Sequence, residues 1–379
     1  MMASKPGIYI HIPFCVSKCR YCAFLSGPAD GDTVKEYVRA LERELCSYKD
    51  ELADRVFDTV YFGGGTPSLL EPEAIKSVLD TLRCCFALEE DAELTLEANP
   101  GTLGSTDAEI RERLAGYKAA GINRLSMGAQ SMDDKRLSYL GRIHSADDVR
   151  RDFRLAREAG FDNISLDLIT AVPGMSLEDA LWDVEEIISL GPEHISMYTL
   201  QLEEGTALHR AWERGEFELM DEDADREMYH SCSKALEKAG YLRYEISNFA
   251  RDGRMSRHNS KYWDMSEYLG AGLGASGYVG GVRYRNTEVM EEYLQGRARA
   301  EEHVNTIDDD ISEAVFTGLR RRDGILMSEI CKDFRKHYDD VWSEVLSFAE
   351  DGFLIIDGDR MRLTDKGIDI SNRIMALFV

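Results

Sequence analysis

Long apolar runs are missing from this chain of 379 residues. No stretch reaches the ~18 apolar residues that a membrane-spanning helix needs, so no transmembrane segment is expected. Positive charge is scarce as well, with 45 Lys and Arg against 70 Asp and Glu and a net charge of −25. Binding to a phosphate backbone needs clustered Lys and Arg, so nucleic acid is not an expected partner. Met1 to Pro6 lack the apolar run of a secretory leader. No low-complexity linker and no repeat longer than a strand–helix unit is found. Cys46, Cys84, Cys85, Cys232 and Cys331 are scattered, as in a reducing cytoplasm. The adjacent Cys84 and Cys85 read as helix-end packing and not as a redox pair. What remains is an ordinary globular composition, 44% hydrophobic, with length for two or three domains.

The other three cysteines stand together. Ile8, Ile10 and Ile12 alternate with Tyr9 and His11, which reads as a strand, and the strand runs into a loop carrying Cys15, Cys19 and Cys22. Three thiolates spaced C-x3-C-x2-C suit a soft metal, either zinc or an iron–sulfur cluster. On a four-iron cluster they leave one iron without a protein ligand, open to a small chelator. A structural zinc with His11 as fourth ligand is the plainer alternative, although zinc sites favour paired cysteine spacings. A disulfide would leave one cysteine over.

Downstream, strands and helices alternate. Thr33 and Glu36 read as a capping box for a helix over 33–52, and Pro72, Thr106, Ser145 and Ser176 open four more. Between them, strands are expected at 59–62, 94–96, 122–127, 164–169 and 195–200. Six strand–helix units imply a parallel sheet with helices outside it, curled by right-handed crossovers. Six fall short of the eight of a closed barrel, so an α/β fold with an open six-stranded (βα)6 partial barrel is expected. The cysteine loop, Gly63 to Pro67, Glu97, Gln130, Asp167 and Gln201 all fall at or just past strand C-termini, the end at which such folds bind ligands.

Past residue 205 the pattern changes. A helix is expected over 221–239 and extended chain over 242–249, followed by Arg257-His258-Asn259-Ser260-Lys261-Tyr262-Trp263. The glycines between 270 and 281 imply sharp bends or close approach. Asp308 to Asp310 read as a break, followed by helices at 312–320, 327–336 and 340–351, a hairpin at 353–364 and a helix at 366–377. That order is winged-helix-like, with no basic face for DNA. The expected divisions are a core at 1–240, an extension at 241–305 and a C-terminal α+β domain at 306–379.

Several motifs now carry a resemblance. They are Tyr-Ile-His-Ile-Pro-Phe-Cys (9–15), Tyr-Phe-Gly-Gly-Gly-Thr-Pro-Ser (61–68), Leu-Glu-Ala-Asn-Pro (96–100), Ser-Met-Gly-Ala-Gln-Ser (126–131), Leu-Gly-Arg-Ile-His (140–144) and Asp-Leu-Ile-Thr-Ala-Val-Pro-Gly (167–174). With the cysteine spacing, they resemble the branch of the radical S-adenosylmethionine (SAM) superfamily that holds anaerobic coproporphyrinogen III oxidases and HemW-type haem chaperones. The resemblance covers residues 7–375. It implies a [4Fe–4S] cluster on Cys15, Cys19 and Cys22. It also implies SAM held by Tyr9, Tyr21, Gly64, Gly65, Thr66, Glu97, Gln130, Arg142 and Asp167, with Tyr21 on the adenine.

The oxidases carry a further cysteine two residues after the third, where this chain has Phe24. They also carry an N-terminal extension, whereas the first strand here begins near residue 7. The chaperone branch shares the Phe and an H-N-x-x-Y-W motif, here His258 to Trp263, although it usually has Asp where this chain has Ala23. The resemblance therefore implies a cytoplasmic protein that binds haem and passes it to acceptor proteins, served by an electron donor such as a flavodoxin or ferredoxin. His258 is the expected haem ligand, with Arg257 and Lys261 on the propionates. In the alternative, Tyr262 and Trp263 merely cover the barrel's open side and His258 is their hydrogen-bond partner. The competing functions are an enzyme (porphyrinogen decarboxylation, radical methylation or haem degradation) and a SAM-binding module without haem.

Overall fold

The isoleucines of the first strand are fully buried among helices, and the residues between them are polar and turn the other way. This two-residue period recurs in every strand of the core. The computed structural model describes residues 5–379, so most of the stretch read for a leader lies outside the described residues. Strands β1 (Gly7–Ile12), β2 (Val56–Gly64), β3 (Ala87–Ala98), β4 (Arg124–Gln130), β5 (Ile164–Thr170) and β6 (His194–Thr199) pair side by side in chain order, all parallel. Helices α1 (Gly31–Ser47), α2 (Pro72–Cys85), α3 (Asp107–Ala120), α4 (Asp134–Leu140), α5 (Ala146–Glu158) and α6 (Leu177–Leu190) connect them.

Phe62, Leu96, Met127, Leu166 and Met197 join Ile8, Ile10 and Ile12 in the core beneath these helices. The alternate positions, among them Tyr9, Thr59, Tyr61, Glu97, Arg124, Asp167 and Ser196, line the inside of the curved sheet. A polar interior is unusual for a protein core.

The helix starts follow from capping chemistry. Thr106 with Glu109, Ser145 with Asp148 and Ser176 with Asp179 all form reciprocal capping boxes at expected helix starts. Helix α1 differs. Asp30 is its cap, accepting from Thr33 N at 2.8 Å, so the helix starts before the expected Thr33 box and stops at Ser47. Strand β3 is also longer than expected. Its first half, through Glu89, Glu90 and Asp91, is largely exposed and therefore lacks an apolar signal.

After α7 (Ala207–Glu213) and α8 (Glu222–Lys238), the stretch expected to be extended forms β7 (Leu242–Arg243) and β8 (Asn248–Ala250), which add antiparallel to β6. Residues Arg257–Trp263 form a short helix, α9. Strand β9 (Tyr268–Ala271) adds parallel to the free side of β1, and β10 (Ser276–Val279), β11 (Val282–Asn286) and β12 (Arg299–Val304) follow antiparallel. The glycines there do permit close approach: a Cβ on Gly270 would lie 1.9 Å from Ser276 O, and one on Gly277 would lie 2.2 Å from the Tyr284 ring. The six expected strands are thus the middle of an open twelve-stranded sheet.

After α10 (Met290–Leu294) the C-terminal unit has its own core around Val315, Leu319, Val345, Met361 and Ile374. It runs α11 (Ile307–Gly318), β13 (Ile325–Leu326), α12 (Met327–Ile330), α13 (Phe334–His337), α14 (Trp342–Glu350), β14 (Leu354–Asp357), β15 (Arg360–Leu363), α15 (Asp365–Ile368) and α16 (Ser371–Met375). The winged-helix order stands, but the expected helices at 327–336 and 366–377 are each broken into short pieces. Asp308 to Asp310 are no break. They fill the first turn of α11 behind its cap Thr306, where carboxylates oppose the helix dipole.

Thr106→Ala removes one capping box and should destabilise the fold by about 1 kcal/mol. Urea unfolding followed by circular dichroism checks this, and an unchanged midpoint would show that the box is dispensable.

Candidate cofactor site at the barrel mouth

The cysteine loop begins where β1 ends and is closed by backbone bonds. Cys15 N donates to Gly27 O and Gly27 N to Pro13 O, each at 3.0 Å, and Arg20 N donates to Leu140 O at 3.0 Å. Cys15, Cys19 and Cys22 are free thiols, all half-buried. Among the described residues no three His, Cys, Asp or Glu side chains converge as a single metal ion requires. Three thiols on one loop are a donor set that a four-iron cluster takes, one thiolate per iron. His11, the fourth ligand of the zinc alternative, is turned away, with Nε2 3.0 Å from Leu25 O and Nδ1 3.0 Å from Tyr9 OH.

The glycine turn after β2 is stitched to this loop. Gly65 N donates to Ile12 O at 2.8 Å and Thr66 N to Phe14 O at 2.7 Å. A Cβ on Gly65 would lie 2.6 Å from Phe14 O, and Gly64 sits at φ 110, so neither position admits a side chain without strain.

From Thr66 a chain of side chains crosses the mouth. Thr66 Oγ1 is 3.4 Å from Cys15 Sγ and accepts from Asn99 Nδ2 at 2.7 Å. Arg142 Nη2 donates to Asn99 Oδ1 at 2.5 Å and to Gly128 O at 2.9 Å, and its Nη1 lies 3.5 Å from Cys19 Sγ. Cys15 and Cys19 are thus joined through Thr66, Asn99 and Arg142. Gly128 makes room for this convergence, because a Cβ there would lie 2.7 Å from Gln130 Nε2 and 3.0 Å from Asn99 Oδ1. Gln130 adopts φ 66 at the end of β4, a left-handed conformation that is strained for a residue with a side chain. Tyr21 packs against the core beside Arg142, and burial raises its phenol well above the usual range. Asn99 was missed from sequence, although it stands two residues beyond Glu97 in the motif already singled out.

Inside the mouth lie two carboxylates. Glu97 accepts from Tyr61 OH at 2.8 Å and from Gly64 N at 3.1 Å. Burial pushes it up to about 7, with Asp167 adding to the rise and Tyr61 opposing it. Asp167 is pushed up to about 6, again chiefly by burial, while Ser196 and Arg124 pull the other way. Asp167 Oδ1 is buried and accepts no hydrogen bond, so it remains available to a hydroxyl donor. Arg124 is 1% exposed, and its Nε and Nη1 likewise lack partners. Tyr9 stacks on Tyr61 with ring centroids 6.2 Å apart, behind the Glu97 pair. Gln201 is exposed and stands apart from this set.

His258 is not brought to the mouth. It lies in α9, 1% exposed, with Nδ1 2.9 Å from Thr59 Oγ1 and Nε2 2.9 Å from Tyr262 OH. Its ring stacks on Tyr61 at 5.2 Å, and burial pushes its pKa down to about 3. In this arrangement both ring nitrogens are engaged by hydroxyl groups. Arg257 and Lys261 do not face a free ligand either. Lys261 is 3% exposed and pairs with Asp58 Oδ1 at 2.6 Å, and Arg257 reaches Asp58 Oδ2 at 3.3 Å and Asp91 O at 2.8 Å. Asp58 thus pairs with both of the cations expected on haem propionates, and Arg257 stays half-buried.

Known proteins resemble this chain in sequence and in fold. Residues 9–187 match the radical SAM superfamily, and residues 306–370 match the HemN C-terminal domain. The heme chaperone HemW of Lactococcus lactis is 35% identical over 383 residues, spanning 100% of this chain and 98% of its own length. The heme chaperone HemW of Bacillus subtilis is 34% identical over 378 residues, 98% of each chain. In fold, the chain is similar to the coproporphyrinogen III oxidase HemN of Escherichia coli, with a TM-score of 0.85 at 23% identity, over 99% of this chain and 90% of that one. With full-length identity above a third and both domains matched, the chain belongs to the radical SAM superfamily, in the family of HemW-type haem chaperones.

Proposed function

We propose that this protein binds haem and delivers it to acceptor proteins in the cytoplasm, with a [4Fe–4S] cluster and SAM at the mouth of its barrel. The observation that carries this reading is the full-length likeness to relatives named haem chaperones. The fold likeness to HemN alone would serve an enzyme equally well. Among the described residues no helix is long and apolar enough to cross a membrane.

Cys15, Cys19 and Cys22 would hold the cluster, which when bound supplies an electron for cleavage of SAM. The N–H groups of Gly65 and Thr66 already donate to Ile12 and Phe14, so the carbonyls around Gly64 to Thr66 are what an ammonium group would meet. Arg142, spanning Cys19 and Asn99, is the cation for the SAM carboxylate. Asp167, with its unpartnered Oδ1, suits a ribose hydroxyl, and Tyr21 suits the adenine face. Glu97, Gln130 and Tyr9 complete the wall. An electron donor such as a flavodoxin or ferredoxin would approach the cysteine loop, where Val16 is 59% and Phe24 67% exposed. His258 serves as a haem ligand only if α9 leaves the barrel, because Thr59 and Tyr262 hold both its nitrogens.

Two measurements check this reading. SAM carries a sulfonium charge, so its affinity should rise from about pH 5 to about pH 8 as Asp167 and then Glu97 ionise. Glu97→Gln and Asp167→Asn should each flatten the rise and weaken binding at the upper end about tenfold, the loss of one charge-assisted hydrogen bond. Calorimetry on reconstituted protein reads this, and a pH-independent affinity in the parent would remove both carboxylates from the SAM site.

The second measurement is anaerobic incubation with SAM, reductant and either haem or coproporphyrinogen III. Haem should be retained and porphyrinogen should not be turned over, whereas formation of protoporphyrinogen would replace the chaperone reading with the enzyme. His258→Ala should keep the fold and cluster but lose or shift the Soret band. An unchanged band removes His258 as ligand.

A further inference from the structure

Where the C-terminal unit meets the barrel, Glu245 and Arg321 form an isolated β-bridge and Arg322 N donates to Tyr244 O at 2.9 Å. Beside this contact lies a cavity of about 280 Å³ lined by Arg243, Arg320, Arg321, Arg322 and Arg362. Five arginines around one cavity are unexpected in a chain of net charge −25. Three carboxylates share the lining, Glu237, Glu245 and Asp365, and each is already engaged. Asp365 pairs with Arg243, Glu237 lies 3.4 Å from Arg322, and Glu245 lies 3.4 Å from Arg320 while accepting from Ser247 N at 2.9 Å and Asn248 Nδ2 at 2.5 Å.

Two guanidinium groups then have no protein partner. Among the described residues Arg321, which is exposed, and Arg362, which is half-buried, make no side-chain hydrogen bond or ion pair, and Arg320 Nε is buried without a partner. Converging like charges repel, and the remedy is an anion that bridges them.

We propose that this cavity receives the propionate carboxylates of haem, an inference that rests on the haem-binding reading above. The volume falls just below the ~300–1,000 Å³ that drug-sized ligands fill, so it admits the carboxylate edge and leaves the macrocycle outside. Ile246 and Ile368 line the same space, are half-buried, and offer apolar contact to the methylene arms. Arg257 and Lys261, the other cations near α9, are held by Asp58. Arg320 connects the cavity to that helix, its guanidinium lying 4.6 Å from the ring centre of Trp263 at the end of α9. Guanidinium groups suit carboxylates because each offers two parallel N–H donors.

The test titrates the full chain with haem and with haem dimethyl ester, whose arms carry no charge. The parent should bind haem about tenfold more tightly than the ester, the size of one charge-assisted contact. R321Q/R362Q should lose that preference while binding the ester as the parent does, and R321K/R362K should keep part of it. Circular dichroism checks that the variants are folded. If R321Q/R362Q keeps the full preference, or loses haem and ester equally, the propionates are not held here and the haem-binding reading survives. If the parent binds neither ligand, that reading falls and this inference falls with it.

Discussion

The two backbone hydrogen bonds from Gly65 to Ile12 and from Thr66 to Phe14 govern the site. They lock the turn after β2 against the start of the cysteine loop, so two loops from neighbouring strands behave as one rigid edge. The absence of a side chain at Gly65 is a condition of that contact, given how close Phe14 O lies. From this edge, Thr66, Asn99 and Arg142 extend the frame across to Cys19. Every residue in that frame is held by at least one neighbour before any cofactor arrives, which lowers the ordering cost of binding.

The same edge is braced from outside the barrel. Tyr37 on α1 donates to His11 O at 2.7 Å and accepts from Leu273 N at 2.9 Å, joining the first strand to the segment that follows β9. Glu44, about two turns further along α1, is buried and accepts from Gly272 N, Asn286 Nδ2 and Tyr293 OH at 2.9, 2.7 and 2.6 Å. A buried carboxylate is tolerable only when so fully bonded. These contacts explain why the sheet continues past β1 into β9 to β12: the added strands hold the helix that carries the cysteine loop's exit.

Much of the fold was legible because local chemistry and global arrangement agree. Three capping boxes, Pro72 at a helix start and the alternating isoleucines of β1 all mark their elements directly. The cysteine loop and the glycine turn were legible for the same reason, since spacing and small size are properties of the chain itself. What escaped was set by distant partners. The exposed half of β3 has no apolar period to detect. Asn99 becomes significant only when Thr66 and Arg142 arrive on either side of it. The partners of the motif around His258 escaped too: Asp58, Thr59 and Glu93 on β2 and β3 engage Arg257, His258 and Lys261. No property of that seven-residue stretch reveals which acidic side chains will face it.

The central claim is that Cys15, Cys19 and Cys22 hold a four-iron cluster with one iron left for SAM. Electron paramagnetic resonance of the reduced, reconstituted protein tests it most directly. The account predicts a [4Fe–4S] signal that changes shape when SAM is added, and that is absent when any of the three cysteines is replaced by alanine. A signal indifferent to SAM, or zinc at full occupancy in place of iron and sulfide after anaerobic purification, would contradict it.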